Sequence, residues 1–431
     1  MRIAYVSAGA AGMICGSCLH DNTLAAAIRK QGHEIVLIPT YTPMRTDERD
    51  VSRPGVFYGA VNLYLQHHSA LFRHTPRLVD RLLDHPALLG WASRKGAATS
   101  AADLGDLTRS VLEGEEGNQR KELLRLVAWV RDEFRPDIVH LTNSMFLGLA
   151  APLKRALGVP IVCSVQGEDL FLEALPEPDK SQVLALLRRK ARDADAFIAT
   201  GGEYAGRMSR LLDLPPAKVS SVALGISLEG HREPLRAKKA GPFVVGYLAR
   251  ICPEKGFHLL AEAFAALAAA AGPERVRLRA AGYLGPKDRA YFEEVTGRLA
   301  AQGLAKVFDY AGEVDRAGKI EFLRSLDVLS VPTVYQEAKG LFVLEALANG
   351  VPVVQPRHGS FPEMLEATGG GVLVAPGSAA ELAAALDALR QDPERRRALG
   401  ERGRVAVLGR YSDETMAQET VKVYLAALGG S

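Results

Sequence analysis

The sequence predicts an α/β protein of two doubly wound domains, and three observations carry that prediction. At 431 residues the chain exceeds what one hydrophobic core usually supports, so two domains are expected. Short apolar strands alternate with helical stretches in two separate series, the pattern of parallel sheets covered by helices. Between the series lies Glu229–Pro242, a polar and basic stretch with Gly230 and Gly241 near its ends, which suits a linker.

Taken in order, the first half offers strands at Arg2–Ser7, Glu34–Pro39, Ile138–Leu141, Pro160–Val165 and Ala196–Thr200, with Ser220–Ala223 closing the series. A helix is expected over Asp21–Gln31, where Leu24, Ala27 and Ile28 fall at helical spacing and Gly32 is the stop. The interval 51–133 breaks the pattern. It is rich in His, Arg and Leu, carries Pro76 and Pro86, and reads as a largely helical insertion. Insertions of this kind decorate the substrate side of such domains, which makes it a candidate acceptor-binding region. The expected division is therefore 1–235, an acceptor-side domain with this insertion, and 236–431.

The second half offers strands at Phe243–Tyr247, Val276–Ala281, Val307–Tyr310, Val328–Val331, Val351–Gln355 and Gly371–Val374. Helices are expected over Phe257–Ala270, Lys287–Gln302, Ala317–Ser325, Leu341–Ala348, Ala379–Arg390 and Thr415–Leu428.

Hydrophobic residues make up 48% and charged residues 24%, ordinary values for globular domains. A formal net charge of +3 from 53 basic and 50 acidic residues argues against a dedicated nucleic-acid binder. Met1–Ser7 reads as a buried strand and not as a targeting signal. No segment supplies the roughly 20 apolar residues of a membrane span; Ala261–Ala271 is too short and Glu262 interrupts it. A cytoplasmic protein is expected. Peripheral membrane contact through Arg73, Arg77, Arg81, Arg94 and Lys95 of the insertion stands beside plain solvation of those cations.

Ligands of doubly wound sheets bind beyond the carboxyl ends of the strands, and three segments fall there. Gly9–Gly16 follows the first strand. Its glycines do not fit the dinucleotide spacing G-x-G-x-x-G, and a tight packing turn explains them as well as a binding loop does. In Gly246–Gly256, Arg250 and Lys255 lie five residues apart on a Pro/Gly loop and can converge on one diphosphate, or both can be solvated cations. In Pro332–Gly350 a strand ends, a loop carries Glu337 and a helix starts near Gly340, leaving free N–H groups at a helix N-terminus. Glu345 lies one turn into that helix, where its carboxylate can accept a ribose diol. Either glutamate alone reads as a dipole or solvent partner; the two in this frame read as a site.

The third segment resembles the E-x7-E signature of retaining glycosyltransferase family 4, the glycosyl transferases group 1. The second resembles that family's G-R-x-x-x-x-K-G donor loop, with Arg250, Lys255 and Gly256 in place. His358–Glu363 resembles its G-x-P-E turn and Pro393–Tyr411 its tail. The resemblance spans nearly the whole chain and is weakest over 51–133.

The resemblance implies the GT-B fold, two Rossmann-like domains facing across a cleft, with the last helix crossing back to domain one. It implies a retaining, metal-independent transfer of sugar from a nucleotide-diphosphate sugar to a hydroxyl acceptor that is a sugar, a lipid or a small molecule. No cofactor is implied. Glu337, Arg250 and Lys255 would be catalytic. Donor binding would add Gly12, Lys339, Gly340, Leu341 and Glu345: Glu345 on the ribose, Glu337 and the 339–341 backbone on the transferred sugar, and Gly12 near the phosphate.

Some residues depart from the family pattern. Gln166 stands where histidine is frequent, followed by Glu168, and both are candidates to face the cleft. Gln166 cannot act as an acid or base. Lys339 replaces a frequent aromatic residue, and Leu224-Gly225-Ile226-Ser227 replaces Asn-Gly-Val-Asp. Cys15-Gly16-Ser17-Cys18 reads as loop lining or as half of a redox or zinc site, with Cys252 as a further ligand. His67, His68, His74 and His85 show no ligand spacing. The alternatives to a transferase are an epimerase or phosphorylase of the same fold and a non-catalytic nucleotide-sugar binder.

Overall fold

The computed structural model describes residues 1–9, 16–75, 101–234 and 241–430. The chain divides into two compact units, one of Met1–Gly225 with Asp413–Ser431 and one of Ile226–Ser412.

The first unit holds β1 (Arg2–Ser7), β2 (Glu34–Pro39), β3 (Ile138–Leu141), β4 (Ile161–Val165), β5 (Ala196–Ala199) and β6 (Val219–Ser221). They form one parallel sheet in the order β2-β1-β3-β4-β5-β6. Strands β3 and β4 are buried at every position, because helices cover both faces of a parallel sheet. One covering layer pairs the helix Gly16–Lys30 with the helix Asp413–Gly429. Leu24, Ile28, Met416, Ala417 and Tyr424 pack there on Ile3, Tyr5, Ile138 and Val162. Burying each such aliphatic side chain contributes roughly 1.5–3 kcal/mol, so the returning helix is part of this core. Within 51–133 the described residues are largely helical, at Ala60–His68, Ala101–Glu113 and Arg120–Trp129.

The second unit repeats the plan with β7 (Phe243–Leu248), β8 (Val276–Ala281), β9 (Phe308–Tyr310), β10 (Val328–Leu329), β11 (Val353–Pro356) and β12 (Gly371–Val374). Their order is β12-β11-β10-β7-β8-β9, again parallel. The chain runs outward from β7 to β9, then returns to place β10 beside β7. That reversal is a topological switch point, where the loops after β7 and β10 diverge from neighbouring strand ends and leave room for a ligand.

The units part at Gly225 and Ile226, ten residues before the 235/236 division expected from sequence. The reason is local. Arg316 donates to the carbonyls of Ser227 and Glu229, and Arg324 to that of Gly230, which fastens the start of the polar stretch to the second unit. Among the described residues no helix is long and apolar enough to cross a membrane.

Candidate active site

The switch point of the second unit is assembled by close backbone packing. Gly256 ends the turn after β7 with φ +70°, and a Cβ there would lie 1.9 Å from the Pro332 carbonyl oxygen. Only glycine takes that conformation cheaply and lets the two loops touch. Val334 N–H donates to the Glu254 carbonyl at 3.0 Å across the same seam. Gly359, at φ +56°, similarly lets the turn after β11 close on the Glu337 backbone, and Ser360 N–H donates to the Glu337 carbonyl at 2.8 Å.

These contacts bring Lys255 and Glu337 together. Lys255 Nζ lies 2.5 Å from Glu337 Oε2 and 2.6 Å from Tyr335 Oη, which donates to the same Oε2 at 2.7 Å. The ammonium also sits 5.1 Å from the Tyr335 ring centroid and 5.6 Å from that of Phe342. Glu337 is 5% exposed. Burial pushes its pKa up, but the Lys255 charge and hydrogen bonds from Lys255, Tyr335 and the Lys339 N–H outweigh it and hold the carboxyl at about 2. Burial and the neighbouring carboxylate push the Tyr335 phenol far up, so it stays protonated. Arg250 donates to Cys252 Sγ at 3.3 Å and lies 3.9 Å from Glu254, with a third of its side chain exposed. Cys252 itself is fully buried.

The helix Leu341–Ala348 follows Gly340 and is buried at every residue. Its first N–H groups have no intrahelical acceptor and carry the positive end of the helix dipole. Glu345 forms a buried ion pair with Lys319, each side chain 9% exposed. Below it Asn349 donates to the Glu345 carbonyl and to His231 Nδ1 and accepts from Arg324. Burial, with the charges of Arg316, Lys319 and Arg324, holds His231 at about 4 and therefore neutral at pH 7. Arg250, Lys255, Glu337, Lys339, Gly340, Leu341 and Glu345 thus all belong to one loop-and-helix cluster at the carboxyl end of this sheet.

Gln166 and Glu168 lie in the first unit and are buried, at 3% and 7% exposure. Gln166 Nε2 donates to the Thr142 carbonyl, to Thr142 Oγ1 and to Asp21 Oδ1. Glu168 accepts from Ser144 N–H, Ser144 Oγ and Gln166 N–H. Their polar atoms are thus bound into the carboxyl ends of β1, β3 and β4. The centre of that network is Asp21, which accepts from Tyr5, Ser7 and Thr142. Burial pushes its pKa up, and hydrogen bonds from His20, Ser7 and Thr142 more than reverse this. The sequence reading opens a helix at Asp21; in the structure Gly16–Lys30 is already helical, and Asp21 is turned inward.

Gly12, Cys15, His85, Arg77, Arg81, Arg94 and Lys95 lie outside the described residues. Cys18 is buried, and among the described residues no three His, Cys, Asp or Glu side chains gather as metal ligands. Arg73 donates to the Gln66 and His67 carbonyls. His67 Nε2 lies 3.1 Å from Asp106. Sequence reasoning missed Tyr335, Lys319 and Asp21. For Lys319 a signal existed: it shares the inward stripe of the helix Arg316–Ser325 with Ile320 and Leu323. For Tyr335 there was none.

A family model described as glycosyl transferases group 1 matches residues 232–406, and one described as glycosyl transferase 4-like domain matches residues 22–225. The D-inositol 3-phosphate glycosyltransferase of Kribbella flavida is 30% identical over 314 residues, which cover 69% of this chain and 73% of the relative. D-inositol 3-phosphate glycosyltransferase 2 of Catenulispora acidiphila is 29% identical over 357 residues, covering 76% and 83%. Among solved structures, Anabaena HepE in complex with UDP matches with a TM-score of 0.68, covering 99% of this chain and 100% of its own, at 16% identity. That last likeness is one of fold, the two-domain GT-B fold. With both units matched by glycosyltransferase models and most of a 30%-identical relative covered, the chain belongs to the group 1 glycosyltransferases.

Proposed function

We propose that this enzyme binds a nucleoside-diphosphate sugar on its second unit and transfers the sugar to a hydroxyl acceptor with retention, without a divalent metal. The observation that carries the reading is the ion pair of Lys255 with the ionised, buried Glu337, beside Phe342 in the first turn of the helix Leu341–Ala348, with Arg250 on the same loop as Lys255. Two cations and a helix dipole suit a diphosphate, whose negative charge grows as the bond to the sugar breaks. HepE, which shares the fold, was solved with UDP bound.

Roles come from the chemistry of each group. Arg250 engages phosphate oxygens in a bidentate manner and Lys255 as a point charge. A carboxylate with a pKa of about 2 is a poor proton acceptor at neutral pH, so Glu337 orients sugar hydroxyls by accepting their hydrogen bonds. The C1–O bond to the diphosphate breaks and the acceptor oxygen bonds to C1 on the same face. The acceptor's proton passes to the departing phosphate oxygen. Trapping a covalent glycosyl-enzyme adduct would contradict this sequence of events.

The test is a thermal-shift screen against UDP-, GDP- and ADP-sugars, with Lys255→Ala and Glu345→Ala beside the wild type. A donor present at 100 times its Kd adds about 2.7 kcal/mol of stability. A shift with one nucleotide class, lost in both variants, is the expected result. A folded protein that responds to no donor would overturn the proposal.

A further inference from the structure

The proposed function puts Glu345 on the donor ribose, and the role of its partner Lys319 rests on that placement. The Glu345 carboxylate is not solitary. Lys319, 26 residues earlier in the chain, reaches Glu345 Oε1 with its ammonium, and both residues are 7% exposed. The other carboxylate oxygen accepts no hydrogen bond from the described residues.

Stability alone gives no reason for this arrangement. Lys319 lies on the buried side of the helix Arg316–Ser325, beside Ile320, Phe322 and Leu323. A charge taken out of water at such a place must be compensated. Compensation by a buried partner rarely gains over an apolar pair of similar size. The gain lies at the neighbouring ligand site. Side chains of a helix lean toward its N-terminus, so the Glu345 carboxylate points back along the turn whose N–H groups would hold the diphosphate. Unpaired, it would repel that anion. Paired, it presents one oxygen, fixed in direction, and adds no net negative charge beside the helix N-terminus.

We propose that Lys319 is a positioning residue of the donor site: it orients and neutralises Glu345 so that the carboxylate reads the ribose diol without opposing the diphosphate. Neither the E-x7-E spacing nor the Arg250–Gly256 loop contains this residue.

The experiment measures Kd by calorimetry for UDP, GDP and ADP, and for the 2′,3′-dideoxy form of whichever binds tightest. Wild type is expected to prefer the ribose form by about tenfold or more, the equivalent of one charge-assisted hydrogen bond. Lys319→Met is expected to weaken binding of the natural nucleotide and bring that ratio to within about threefold, while Lys319→Arg restores it. If Lys319→Met does not fold, Lys319→Gln, which keeps a donor without the charge, is expected to lower the ratio in the same direction. A Lys319 that only supports the fold would lower the melting temperature and leave the ratio at the wild-type value, and that result overturns the inference. Glu345→Ala separates the layers. Should it keep full discrimination, or should no nucleoside diphosphate bind the wild type, the donor-site reading itself fails. Should it lose discrimination while Lys319→Met and Lys319→Gln keep it, only the role of Lys319 fails.

Discussion

Replacing Lys255 by methionine tests the electrostatics of the site directly. The substitution keeps most of the aliphatic stem and removes the ammonium 2.5 Å from Glu337. The carboxylate then keeps the donors Tyr335 Oη at 2.7 Å and the Lys339 N–H at 3.3 Å but loses the ammonium of Lys255. In the native protein the group titrates near 2 and not at its ordinary 4.5. A depressed folded-state pKa stabilises the fold above the unfolded value and loses that stabilisation as pH falls toward the folded one. The arrangement therefore contributes about 3 kcal/mol at pH 7 and about 2 kcal/mol at pH 3.5. Breaking a buried pair by removing one partner costs a similar amount. Urea unfolding of wild type and Lys255→Met, followed at pH 7 and pH 3.5, is the assay. The variant is expected to be less stable by about 2–4 kcal/mol at pH 7, with the gap narrowing by about 1 kcal/mol at the lower pH. A gap under about 0.5 kcal/mol, or one that widens on acidification, would refute the assignment of Lys255 as the group that holds Glu337 ionised.

Three further outcomes are expected. Gly256→Ala forces a left-handed alanine whose Cβ meets the Pro332 oxygen at 1.9 Å, so a loss of about 2 kcal/mol or more is expected; Gly297→Ala, in a helix with open space around it, should raise stability by about 0.5–1 kcal/mol. Melting temperatures that move together in the two variants would contradict the seam described between the loops after β7 and β10. Tyr424→Phe removes the hydroxyl 2.5 Å from His140 Nδ1 and leaves a buried ring nitrogen without a partner, for a loss of about 1–2 kcal/mol in denaturant unfolding. An unchanged midpoint would mean that this bond does not secure the helix Asp413–Gly429.

The parts of the molecule that are legible in the sequence are those fixed by short-range chemistry. The helix Leu341–Ala348 is bounded by its own glycines, and the cluster around it is announced by the E-x7-E spacing and the Arg250–Gly256 loop. What escapes depends on distant partners. Lys319 falls on the inward stripe of its helix with Ile320 and Leu323, but nothing local names Glu345 as its partner. Gln166 reads as a residue that faces a ligand, yet nothing local reveals that Thr142 and Asp21 take its amide. The start of Glu229–Pro242 reads as linker because backbone carbonyls carry no sequence signature, although Arg316 and Arg324 bind those of Glu229 and Gly230. Asp21 suggests a helix start by residue preference, and a buried set of three hydroxyl donors overrides that preference.

The membership of Asp413–Gly429 in the first unit sets an order of events during synthesis. The sheet of that unit is complete once β6 has been made, but one of its covering helices is encoded after the whole of Ile226–Ser412. At about 5–20 residues per second, a ribosome needs roughly 10–40 s to cross that interval. Throughout it, Ile3, Tyr5, Ile138 and Val162 lack the side chains of Met416, Ala417 and Tyr424 that cover them in the finished protein. The second unit, whose residues are contiguous, is synthesised in full before that helix. The amino-terminal half is thus the last to be sealed, and the nascent chain carries an open apolar face that holdase chaperones are suited to shield.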